Sequence, residues 1–98
     1  SRYLLKETPM ATRSVIIASA VGLHARPASI FVQAANATGL DVEIGRPGEE
    51  PVDATSILGV MSLGAGHGDE VVLTAEGAGA DAALDDLVAL LSRDLDTE

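Results

Sequence analysis

Seven consecutive residues, Gly22-Leu23-His24-Ala25-Arg26-Pro27-Ala28, put an imidazole and a guanidinium where a loop turns into a helix. The first backbone N–H groups of a helix have no intrahelical acceptor, and the macrodipole adds about half a positive charge at that end. A phosphate is well placed there. Pro27 fits the first turn, because the N–H it lacks had no partner in any case. Ala25 and Arg26 keep their N–H groups for a phosphoryl oxygen, and the Arg26 fork matches phosphate geometry. His24 is the candidate nucleophile of this arrangement. The spacing therefore describes an anion cradle with a nucleophile in it. The plainer reading of the same residues is that His24 only caps the helix and Arg26 is a solvated charge.

The flanking elements must position this segment. Arg13 to Ala18 carries Val15, Ile16 and Ile17 and reads as a strand, with Gly22 opening the loop after it. From His24 to Thr38, Ala28, Phe31, Val32 and Ala35 recur at helical spacing, and Gly39 is the stop. Leu40, Val42 and Ile44 alternate with Asp41 and Glu43 as a half-buried strand; Pro47-Gly48 turns the chain, and a short return strand through Val52 completes a hairpin. Ser56 caps a short helix carrying Ile57, Leu58, Val60 and Met61, which Gly64, Gly66 and Gly68 end. Glu70 to Ala75 is a further strand, and Ala80, Ala83, Leu84, Leu87, Val88 and Leu91 stripe a last helix. The order is βαββαβα. With a hairpin in its middle, it predicts an α+β two-layer open-faced sandwich: a four-stranded antiparallel sheet with three helices on one face.

Composition narrows the function. The chain has 98 residues, enough for one core, and residues 1–9 read as an N-terminal extension to a domain spanning residues 10–98. Fifteen acidic against six basic residues give a net charge of -9, which disfavours nucleic acid or an anionic membrane as partner. Tyr3 and Phe31 are the only aromatic residues, so base stacking has no platform. With no cysteine and two histidines, neither a disulfide framework nor a metal site is expected, and no cofactor is implied. No apolar run reaches the roughly 18 residues of a membrane span, which points to a cytoplasmic protein. Residues 54 to 68 carry no Asp, Glu, Lys or Arg, marking core or a contact surface.

Gly22 to Ala28 closely resembles the active-site motif of the histidine-containing phosphocarrier (HPr) family of the bacterial sugar phosphotransferase system. Ser56-Ile57-Leu58-Gly59-Val60-Met61-Ser62-Leu63-Gly64 resembles that family's second signature, and the element order is the family's. The resemblance covers Thr12 to Leu95. It implies a covalently phosphorylated carrier rather than an enzyme. Enzyme I, charged by phosphoenolpyruvate, would phosphorylate Nδ1 of His24, and a IIA domain of a sugar permease would then take the phosphoryl group. Arg26 would stabilise the phosphate, and the backbone N–H groups of Ala25 and Arg26 would bind it. Ile57, Leu58 and Met61 match the apolar docking patch, and the carrier is expected as a monomer. Ser56 matches a serine that a dedicated HPr kinase phosphorylates in part of the family; the simpler role is helix capping. His67, in Gly66-His67-Gly68-Asp69, reads as a loop residue, and the acidic residues of the last helix as a solvated face.

This sequence also departs from the family pattern. Val21 stands where many relatives have a small polar residue, and Gln33 and Asn36 stand where some have lysine. The alternative assignments are a paralogous regulatory carrier in a nitrogen-linked relay and a non-catalytic anion-binding module.

Overall fold

A computed structural model describes residues 10–95, so the expected extension over residues 1–9 lies outside the described residues. The elements run β1 (Met10–Ile16), α1 (Ala25–Ala37), β2 (Asp41–Gly45), β3 (Val52–Asp53), α2 (Ile57–Ser62), β4 (Glu70–Glu76) and α3 (Ala80–Leu91). Four strands form one sheet in the order β1-β4-β2-β3, with every neighbouring pair antiparallel. Because β4 inserts between β1 and β2, the connections through α1 and α2 each leave one strand and return two places away. The expected open-faced sandwich is the observed fold.

Period-two patterning explains why one face is covered. Ala11, Val15, Val42, Ile44, Val71, Leu73 and Ala75 point into the core, where they meet Phe31 and Val32 of α1, Val60 of α2, and Leu84, Leu87 and Leu91 of α3. The opposite face carries Thr12, Ser14, Thr74, Glu43, Asp53 and Glu76. Charges and hydroxyls cannot be buried there without cost, so that face stays in water.

Two details differ from the sequence reading. β1 begins at Met10, three residues earlier than Arg13, because the ladder with β4 runs from Met10 opposite Glu76 to Ile16 opposite Glu70. Local propensity around Met10 is weak, and the partner strand supplies the order. The acidic face of α3 is also more than solvated. Arg13 of β1 donates from Nη2 to Asp81 at 3.1 Å and from Nε to Asp85 at 3.0 Å, latching the edge strand to the helix.

Candidate functional site

The loop before α1 alternates anchored and presented residues. Gly22 closes a turn by donating its N–H to the Ser19 carbonyl at 3.0 Å, with φ at +73°. A Cβ there would lie 2.5 Å from the Ala65 carbonyl oxygen and 2.6 Å from Gly66 Cα, so only glycine lets the two loops meet. Leu23 is the second anchor. Its side chain is 2% exposed, and its N–H donates to the Ala65 carbonyl at 2.9 Å. Pro27 and Ala28 are buried on the inner face of α1. His24, Ala25 and Arg26 stand between these anchors and are exposed.

His24 occupies the N-cap position in extended conformation, yet its side chain makes no capping hydrogen bond. The ring is held at the helix start by the backbone without being consumed in capping. Ala25 follows with φ at 53°, the one non-glycine residue with positive φ among the described residues. A left-handed alanine costs about 1 kcal/mol, a strain retained where the chain folds to present the imidazole. The first turn of α1 holds no acidic residue, and it holds Arg26. A cation there opposes the macrodipole and weakens the helix, but it strengthens any anion site at that end.

α2 splits the second motif between core and surface. Ser56 is its N-cap, the hydroxyl accepting from the Gly59 N–H at 3.2 Å. Val60 is fully buried, Met61 is half-buried against the core, and Ile57 and Leu58 are exposed at 38% and 78%. Val21, at the tip of the turn before His24, is exposed at 55%. Asn36 ties α1 to the segment just before α2, donating to the carbonyls of Val32 at 3.0 Å and Thr55 at 3.4 Å. Gln33 bonds the Ser29 hydroxyl at 3.4 Å within α1.

The loop from Gly64 to Asp69 has contacts that linear reasoning missed. Asp69 accepts the Gly66 N–H at 2.8 Å and the Arg46 guanidinium at 3.2 Å. The Gly66 N–H bond is the main cause that holds its carboxyl below the usual carboxylate range; burial opposes it, and the guanidinium charge and hydrogen bond of Arg46 add to the lowering. His67 is exposed, with Nδ1 3.3 Å from the Ser19 carbonyl, in keeping with a loop role. Arg46 and its partners are 17 to 23 residues apart, so no local pattern could join them. Among the described residues no group of His, Cys, Asp and Glu is arranged to hold a metal ion, and no helix is long and apolar enough to cross a membrane.

Fold and site together define an open-faced α+β sandwich that presents a single imidazole at the start of its first long helix. The model of the PTS HPr component phosphorylation site matches residues 11–93. Phosphocarrier protein HPr of Streptomyces coelicolor is 51% identical over 87 residues, covering 89% of this chain and 94% of that protein. A crystal structure of HPr from Bacillus anthracis superposes with a TM-score of 0.78 at 41% identity, covering 84% of this chain and 96% of that one. HPr-like protein Crh of Bacillus subtilis is 40% identical over 86 residues, 88% of this chain and 100% of that protein. Its crystal structure, a swapped dimer, superposes with a TM-score of 0.67 at 43% identity over 76% of this chain and 84% of that one. The chain belongs to the HPr family, the phosphocarriers of the phosphotransferase system.

Proposed function

We propose that His24 accepts a phosphoryl group from phospho-enzyme I and passes it to the IIA domains of sugar permeases. The observation that carries this reading is an exposed imidazole at the N-cap of α1 that takes no part in capping. The lone pair of Nδ1 attacks phosphorus as the donor's bond to phosphorus breaks, and the other ring nitrogen keeps its proton. The N–H groups of Ala25 and Arg26 and the Arg26 guanidinium receive the phosphoryl oxygens as charge develops on them. Transfer to the IIA domain is the same step reversed on a new acceptor. Ile57 and Leu58, exposed on α2, together with half-buried Met61, serve as the apolar docking surface. A phosphate on Ser56, added by an HPr kinase, would place about two negative charges in that patch and oppose docking. The carrier works as a cytoplasmic monomer, which sedimentation tests against the swapped arrangement of Crh.

Incubation with enzyme I and phosphoenolpyruvate should give an acid-labile phosphoramidate that maps to Nδ1 of His24. His24→Ala abolishes the label and keeps the fold. Arg26→Ala slows labelling on the order of tenfold and leaves it detectable, because the backbone donors remain. Label persisting on His24→Ala overturns the assignment.

A further inference from the structure

Arg46 follows the last residue of β2, where the sequence shows only the start of a turn. Its guanidinium spans three acceptors: Nε donates to the Leu63 carbonyl at 3.2 Å, and Nη2 donates to the Gly64 carbonyl at 2.8 Å and to Asp69 Oδ2 at 3.2 Å. The two carbonyls belong to the C-cap of α2 and the residue after it, which the helix itself leaves unsatisfied. The Asp69 carboxylate in turn holds the Gly66 N–H at 2.8 Å. Between these fixed points lies Ala65, whose carbonyl receives the Leu23 N–H at 2.9 Å, and Gly66, against which Gly22 is packed without room for a methyl group. The next residue after Leu23 is His24. A continuous chain of contacts thus runs from a guanidinium just past the end of β2 to the backbone that carries the imidazole.

We infer that Arg46 is a positioning residue for His24: it fixes the loop Gly64 to Asp69, and that loop fixes Gly22 and Leu23. The inference rests on His24 being the phosphoryl acceptor and adds what holds the acceptor in register. The fork geometry matters, because its rigid, pre-organised donors hold two carbonyls and a carboxylate more firmly than an ammonium on a flexible stem does. A merely stabilising ion pair has a ready comparison in Arg13. It is similarly exposed and also meets two partners, Asp81 and Asp85, but these lie on α3 and not on the loop that grips Gly22.

The test measures amide exchange of Leu23 in the free protein and steady-state phosphorylation by enzyme I. In Arg46→Ala the Leu23 N–H should exchange about tenfold faster, as the local opening becomes easier, while Phe31 and Leu73 keep their protection. The kcat for phosphorylation should fall about tenfold with KM changed less than about twofold, because a misplaced nucleophile slows the step without removing the docking surface. Arg46→Lys should recover part of both losses. Arg13→Ala should lower Tm and leave the Leu23 exchange and kcat within about twofold of the unsubstituted chain. Unchanged exchange and kcat in Arg46→Ala, or equal losses in Arg13→Ala, overturn the inference. Should Arg46→Ala not fold, Arg46→Lys decides, with about threefold effects expected on both readings. If the unsubstituted chain takes no phosphoryl group on His24, the proposed function fails, and the exchange of Leu23 still reports whether Arg46 holds the loop.

Discussion

At Gly22, two residues before His24, the chain has no room for a methyl group. Gly22→Ala would force a Cβ against the Ala65 carbonyl and the Gly66 backbone in a left-handed conformation that alanine already disfavours. We expect a loss of about 3 kcal/mol, on the order of 15 °C in Tm for a domain of this size, together with slowed phosphorylation. Gly48 offers the control. Its φ is +78° and nothing lies within 4 Å of a Cβ there, so Gly48→Ala should cost only about 1 kcal/mol from strain and leave transfer unchanged. Equal melting temperatures for the two alanine variants would show that the loop contact around Gly22 can yield. The same closeness keeps Leu23 buried one residue before the exposed His24.

Within α2, capping and the proposed docking fall on different residues and can be separated. The Ser56 hydroxyl satisfies the Gly59 N–H, so Ser56→Ala should cost about 1 kcal/mol of stability. Ser56→Asp keeps a capping oxygen and should melt near the unsubstituted chain, yet weaken binding to enzyme I by placing a charge in a neutral patch. Leu58 is exposed and Val60 is buried. Leu58→Glu should therefore leave Tm within a degree or two and weaken docking, whereas Val60→Ala should cost about 2 kcal/mol and touch docking only through stability. Calorimetric melting and enzyme I titration on the same samples check all four. Docking lost in Val60→Ala and kept in Leu58→Glu would reverse the assignment of faces.

For the molecule as a whole, a net charge of -9 makes acid titration informative. The open sheet face sets Asp41 opposite Glu76 and Glu43 opposite Asp53, like charges that repel across strands. Asp53 and Asp69 are nonetheless held below the usual carboxylate range. For Asp53 the cause is the Thr55 hydroxyl and then the Thr55 N–H; for Asp69 it is the Gly66 N–H and then Arg46. A carboxyl lowered in the folded chain takes up its proton first in the unfolded one, so its contribution is complete at neutral pH and is lost as pH falls through the folded-state value. The unsubstituted chain should melt above Asp69→Asn at pH 7, and the gap should begin to shrink near about pH 4. Asparagine can still accept the Gly66 N–H, so the comparison isolates the charge. A gap that stays constant down to pH 2 would show that folding does not hold the Asp69 carboxyl below its unfolded-state value.

Alternation at Leu40 to Ile44, helical spacing from Ala28 to Ala35, the stripe from Ala80 to Leu91 and the turn at Pro47-Gly48 determined the order of elements and the class of sandwich, because these are local periodicities that one buried face imposes. The start of α1 and its motif were legible for the same reason: proline, arginine and histidine at a helix start have local backbone consequences. The tertiary structure decided what no local pattern encodes. It extended β1 back to Met10, since a partner strand supplies hydrogen bonds that propensity does not predict. It turned the expected solvated face of α3 into a latch for Arg13 and divided the apolar residues of α2 between core and surface. It also brought Arg46 to Leu63, Gly64 and Asp69 at the two ends of the loop that Gly22 touches. Those contacts join residues far apart in the chain, and only closure of the sheet over its helices brings them within hydrogen-bonding distance.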